Sequence, residues 1–407
     1  MIMFDTGTTT FMILSTSLVM LMTPGLAFFY GGLASKRNIL GIMMQTFASL
    51  GITTVLWIAF GYSLCFSGGE GAIIGNFDWS FLHGVPFSNA FKGAGGQYPT
   101  FIFVAYQMMF AIITPALITG AFVNRVTFKA YLWFLVVWQI FVYYPFVHMV
   151  WGGGLLASWG VVDFAGGLVV HATAGFAALA SVIYVGKRQD RQSPPNSVPL
   201  VAIGTGLLWF GWYGFNAGSE LKVDDITTLA FLNTDVAASF AAVTWLIIEW
   251  VHVGKPKFVG LLTGSVAGLA TITPAAGFVP LWAAVLIGIS ASTVAYLAVS
   301  LKNKLGWDDA LDVWGVHGMG GVTGVILLGV FATQAINGQS GLIEGNVSFF
   351  LKETVSVVIA ASYAFIFTYL MLAIINKITP VKVSEEDEKN GLDFAIHGEK
   401  AYDEGAL

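Results

Sequence analysis

Two stretches of this 407-residue chain set an imidazole in the middle of an apolar run. In VVDFAGGLVVHATAGFAALA, residues 161–180, His171 follows Asp163 by eight positions, with Val170 just before it and Gly175 four residues after. In DALDVWGVHGMGGVTGVI, residues 309–326, His317 stands in the same relation to Asp309, Val316 and Gly321. An imidazole can donate and accept a hydrogen bond at once and changes charge near neutral pH, so two in contact could relay a proton. Either histidine alone reads as a satisfied core residue, and glycine-rich flanks as places where helices pack closely. Ionisable groups inside a membrane are nevertheless functional candidates by default, and two on repeated motifs favour a pathway.

The elements that carry them are membrane helices. The chain is 56% hydrophobic and 10% charged, against roughly 25% charged in a soluble domain. Stretches 6–35, 38–69, 93–124, 130–162 and 258–301 contain no charge, and a helix spans a bilayer with about 20 apolar residues. This predicts an all-α integral membrane protein of eleven transmembrane helices. They lie near residues 9–33, 39–66, 99–123, 130–147, 161–186, 198–215, 226–251, two in the run after Lys257, 311–333 and 350–376; Thr273-Pro274-Ala275-Ala276-Gly277 breaks the long run. Residues 1–378 form the transmembrane domain and 379–407 a charged tail.

Composition excludes several other classes. The net charge of −5 is spread over loops and tail and does not point to nucleic acid, and the single cysteine, Cys65, forms no intrachain disulfide or cysteine metal cluster. No metal or cofactor is expected. The start, MIMFDTGTTT, lacks a basic n-region, so the first apolar stretch reads as a retained helix.

With eleven spans the termini lie on opposite sides. Of the 18 Lys and Arg, 15 fall on the side of the C-terminus and 3, at positions 92, 222 and 352, on the other. The positive-inside bias puts the N-terminus outside and the C-terminus in the cytoplasm. The two histidine helices then run in opposite directions, and eight residues at about 1.5 Å each bring both imidazoles near the midplane of a core of roughly 30 Å. The arrangement predicts two inverted five-helix repeats plus a C-terminal helix. Asp163, Asp309 and Asp312 read as caps on helix N-termini. Asp235 lies well inside its span, facing the bundle or a neighbouring subunit, with no partner legible.

Long segments of the chain resemble the ammonium transporter family that includes the Amt, Mep and Rhesus proteins. They are AFFYGGL (27–33), HMVWGGGLLASWGVVDFAGG (148–167), GWYGFNAGS (211–219), TITPAAGFV (271–279), DDALDVWGVHG (308–318) and the tail piece GLDFAIHGEKAYDE (391–404). The resemblance implies ammonium uptake by a homotrimer with one pore per subunit in the cytoplasmic membrane. It implies an outer recruitment site of Phe110, Trp151 and Ser219, a gate of Phe110 stacked on Phe215, and a pore pair His171 and His317 lined by Trp212. Asp163 would support the outer site without touching the ion, and the tail would meet a cytoplasmic trimeric signalling protein of the PII type or pack under its own trimer.

These roles make physical sense. Aromatic faces attract a cation, a serine hydroxyl can accept an N–H that potassium lacks, and an apolar tube favours ammonia over ammonium. Without the resemblance, Phe110 and Phe215 would be two of 33 phenylalanines and Trp151 one of 13 tryptophans. No enzymatic role is expected. Two other classes remain: an ammonium sensor signalling through its tail, and a membrane redox protein with haem between the two histidines. The crowding aromatics disfavour haem, and no output domain follows the last helix.

Overall fold

The structure, a computed structural model, describes residues 4–68, 71–86, 98–191 and 193–402. Lys92, used in the charge count, and the last five residues of the tail lie outside them. Among the described residues, ten helices are long and apolar enough to cross a membrane. They are α1 (Thr6–Leu33), α2 (Ile39–Phe66), α3 (Thr100–Phe122), α4 (128–150), α5 (Gly167–Val185), α6 (Val198–Ala217), α7 (Asp225–Val253), α9 (Leu281–Leu305), α10 (Trp314–Phe331) and α11 (Val347–Ile378). The eleventh expected span is α8 (Phe258–Ile272), of 15 residues. It is shorter than the usual apolar span of about 20, because the chain turns at 273–279 where Pro274 and Gly277 stop the helix.

Burial grades from centre to rim. In α5, 83% of the apolar window is buried, against 28% in α7, and the outer faces of α7, α9 and α11 expose Ile247, Leu297 and Val358. That is the pattern of an apolar rim around a polar-seeded centre, with backbone groups satisfied inside helices. No strand occurs among the described residues, only an isolated antiparallel bridge between Val126 and Lys382.

The tail packs on one end of the bundle through two short helices, α12 (Glu385–Asn390) and α13 (Leu392–His397). Asp393 accepts the Gly41 N–H at the start of α2 (2.8 Å), and Leu392 N–H donates to Asn38 Oδ1 (2.9 Å). Val383 N–H donates to the Arg125 carbonyl and Gln189 N–H to Glu388. The α1–α2, α3–α4 and α5–α6 connections therefore share the end that holds the tail.

Buried charges brace the same end. Arg188 clasps Asp308 through Nε and Nη2, Arg125 lies 3.6 Å from the same carboxylate, and Lys302 pairs with Asp312. Asp309 caps as expected, accepting the Trp314 N–H (2.8 Å). Asp312 does not cap; its backbone sits at φ 57 and its carboxylate turns to Lys302.

Candidate functional site

The centre is built where α5 and α10 cross. A Cβ on Gly175 would lie 2.1 Å from Gly318 Cα, and one on Gly321 would lie 2.5 Å from the Gly167 carbonyl and 3.0 Å from His171 Cβ. Each motif glycine is thus the contact surface for the other motif. Close backbone approach through small residues is how membrane helices associate tightly. Both histidines sit in π-helical turns, Gly167–Ala172 and Trp314–Gly318, a widening frequent at functional positions.

The crossing brings the imidazoles together. His317 Nδ1 faces His171 Nδ1 at 3.3 Å, with ring centroids 5.3 Å apart and planes 16° from parallel. One Nδ1 must donate and the other accept, which leaves the two outward nitrogens in complementary states. His171 and His317 line a narrow cavity of about 10 Å³ with Trp212, Phe215 and apolar side chains of α1 and α3. That volume is close to what one water, or a molecule of that size, needs. Trp212 stacks on His171 (5.5 Å, 18°) and is held by Nε1–H donating to Thr273 Oγ1 (2.9 Å), in the break after α8.

The line of rings continues away from the tail. Phe215 lies 6.1 Å from His171 and 4.3 Å from Phe110, whose edge meets Trp151 at 5.9 Å and 87°. Both phenylalanines are 1% exposed, while Trp151 is half-buried. Ser219 joins this end through Tyr106: its hydroxyl lies 3.2 Å from Ser219 Oγ and 2.9 Å from the Phe215 carbonyl. Ser219 donates to that carbonyl (2.8 Å), which keeps its oxygen lone pairs for an N–H donor.

In the other direction, His317 also lines a wider cavity of about 230 Å³ that reaches Arg188, Arg191 and Asp312 at the tail end. The sequence-predicted residues thus form one file: Trp151, Phe110, Phe215, Trp212 with His171, and His317.

Asp163 stands beside the file. Its Oδ1 accepts the N–H of Gly166 (2.8 Å) and Gly167 (2.6 Å), and its Oδ2 those of Leu168 (2.7 Å) and Val169 (3.1 Å). The predicted helix from Val161 therefore starts only at Gly167, because residues 160–166 loop back so that the carboxylate reaches the free amides. Gly166, at φ 120, makes the return. The Asp163 carbonyl accepts Trp151 Nε1–H (2.8 Å), which fixes the indole.

Supporting residues escaped the sequence reading. Buried His148 points Nδ1 at the Cys65 carbonyl (2.9 Å) and Nε2 at the Gly71 carbonyl (2.8 Å), bridging the end of α2 and the loop after it. Its place three residues before Trp151 was the one available signal. Asp235 finds its partners within the subunit: Tyr213 Oη–H (2.6 Å) and Trp209 Nε1–H (3.2 Å) from α6.

The profile of the Ammonium Transporter Family matches residues 10–402. The chain belongs to the ammonium transporter family. It is 46% identical over 401 residues to an ammonium transporter of Aquifex aeolicus, covering 98% of this chain and 94% of that one. It is 44% identical over 406 residues to an ammonium transporter of Bacillus subtilis, covering 97% and 98%. Among solved structures, Mep2 of Saccharomyces cerevisiae superposes with a TM-score of 0.87 at 32% identity, covering 94% of this chain and 88% of that one. Every residue in the file of rings lies inside the matched range.

Proposed function

We propose that this member of the ammonium transporter family carries ammonium across the cytoplasmic membrane by recruiting the ion, separating its proton and passing ammonia along the file of rings. The observation that carries the reading is the file itself, ending on two imidazoles whose Nδ1 atoms face each other at 3.3 Å. Trp151 and Phe110 offer aromatic faces to a cation and Ser219 offers an oxygen to an N–H. Phe110 and Phe215 close the way below, so an ion must shed its hydration before it enters. In the narrow apolar cavity a charge is costly. Ammonia crosses, donating to and accepting from the imidazoles, while the proton moves along the histidine pair and net charge is displaced.

The basic loops and the tail share one end of the bundle, which supports a cytoplasmic C-terminus and an outer Trp151. We assign the protein to a homotrimer in the cell inner membrane with a pore in each subunit. The tail, 379–407, serves as the cytoplasmic regulatory segment, with a PII-type protein as its partner at the inner mouth.

Solid-supported membrane currents test the proposal. Ammonium pulses on proteoliposomes should evoke current where potassium pulses do not. Charge-neutral uptake overturns the electrogenic step, and unchanged current and selectivity in His171→Ala and His317→Ala overturn the proton relay.

A further inference from the structure

Glu353 lies in the second turn of α11 and is 0% exposed. Its Oε1 accepts the Val162 N–H (2.8 Å), while Oε2 is buried and has no protein hydrogen-bond partner. Nothing in the file of rings uses it. Yet its one bond falls on the residue next to Asp163, and Asp163 does two things for the outer site: its carboxylate holds the four amides that start α5, and its carbonyl holds the Trp151 indole (2.8 Å). The loop 160–166 that carries Asp163 is not helical; the Val161 and Phe164 N–H groups reach the Leu156 and Pro274 carbonyls, and Glu353 supplies the tie at Val162 between them.

The two carboxyl groups also differ in what they receive. Asp163 collects four N–H donors, the environment of an ionised carboxylate. Glu353 receives one and leaves its other oxygen buried without a partner, where a charge would be very costly. A neutral carboxylic acid removes that charge while its carbonyl oxygen still accepts the Val162 N–H.

We infer that Glu353 is a positioning residue for ammonium recruitment: held as a neutral acid, it anchors Val162 and thereby sets Asp163 and the Trp151 ring over the gate. The inference rests on the transport reading above and adds a residue outside the file. Its chemistry predicts that a neutral isostere will serve equally well. Glu353→Gln keeps a carbonyl oxygen for Val162, whereas Glu353→Met fills the same space with no acceptor.

The test is the ammonium dependence of current on proteoliposomes of wild type and both full-length variants, with folded protein quantified in each. Glu353→Met should raise the half-saturating ammonium concentration about tenfold, the size of one lost hydrogen bond expressed in affinity, with maximal current within about twofold. Glu353→Gln should match wild type in both. An unchanged half-saturation in Glu353→Met overturns the inference, and so does a Glu353→Gln as impaired as Glu353→Met. If Glu353→Met does not fold, Glu353→Asp, one methylene short of Val162, takes its place with the same expectations. The infrared difference between wild type and Glu353→Gln should contain a protonated-carboxyl stretch that shifts in heavy water; a carboxylate band in its place overturns the neutral acid. A wild type without ammonium current fails the transport reading instead, and the infrared result stands apart from it.

Discussion

Gly175 and Gly318 touch through their backbones: a Cβ on Gly175 would stand 2.1 Å from Gly318 Cα and 2.2 Å from its nitrogen. No side chain can yield there, so the contact fixes how closely α5 and α10 approach and therefore the spacing of His171 and His317. Gly175→Val is expected to push the helices apart, at a cost of at least about 1–3 kcal/mol of overpacking, and to abolish ammonium-evoked current. Gly206→Ala, with nothing within 4 Å of its Cβ, serves as the control and should retain both stability and current. Thermal unfolding in detergent and proteoliposome currents read the two effects.

Asp163 satisfies four amides with two oxygens, so its variants should grade by acceptors kept. Asp163→Asn retains one acceptor oxygen and Asp163→Ala none. Each buried amide left bare costs about 1–3 kcal/mol, so unfolding temperature and current should both fall in the order wild type, Asn, Ala. Equal behaviour of Asn and Ala would show that the amides find other partners.

His148 ties the end of α4 to two carbonyls of the α2 end and its following loop. His148→Leu should destabilise the protein by about 1–3 kcal/mol, since at least one of the two carbonyls loses its donor. Thermal unfolding in detergent reads the loss, and an unfolding temperature equal to wild type would show that the two carbonyls find other donors.

Asp393 anchors the tail on the first turn of α2 through the Gly41 N–H. Asp393→Ala should free the tail, seen as faster tryptic cleavage at Lys389 and Lys400, while the unfolding temperature of the membrane bundle stays within a few degrees. If cleavage is unchanged, Leu392 and Val383 hold the tail without it.

Burial pushes the Asp309 carboxyl up to about 6 from 3.8, against the opposing pull of Lys302. The folded protein then binds this proton more tightly than the unfolded chain, so stability is higher below about pH 4 and declines as pH rises towards 6. The unfolding temperature of Asp309→Asn should lack that part of the pH dependence. A wild-type profile identical to that of the variant between pH 4 and 6 would exclude the contribution.

The centre of the fold was legible because its signals are local in sequence. Charge-free runs mark spans, and two His motifs with matching Asp and Gly offsets mark an inverted pair. The start of α5 was misplaced because hydropathy does not register that Asp163 loops back to its own amides, and Asp312 was misassigned because Lys302 arrives from α9. The shortness of α8 follows from a turn that apolar composition conceals.

The sequence by itself determined that the chain is a membrane bundle and that two imidazoles lie on repeated motifs, while the aromatic residues of a cation pathway were picked out only by resemblance to a known family. Only the tertiary structure decided that the Nδ1 atoms face each other, that Trp151, Phe110 and Phe215 form one line with them, and that Tyr106 and Thr273 hold that line. The physical reason is the range of the interactions. Hydrophobicity and capping act within a few residues of the chain, whereas ring stacking, backbone contact at glycine and hydrogen bonds between distant helices exist only once the helices have packed.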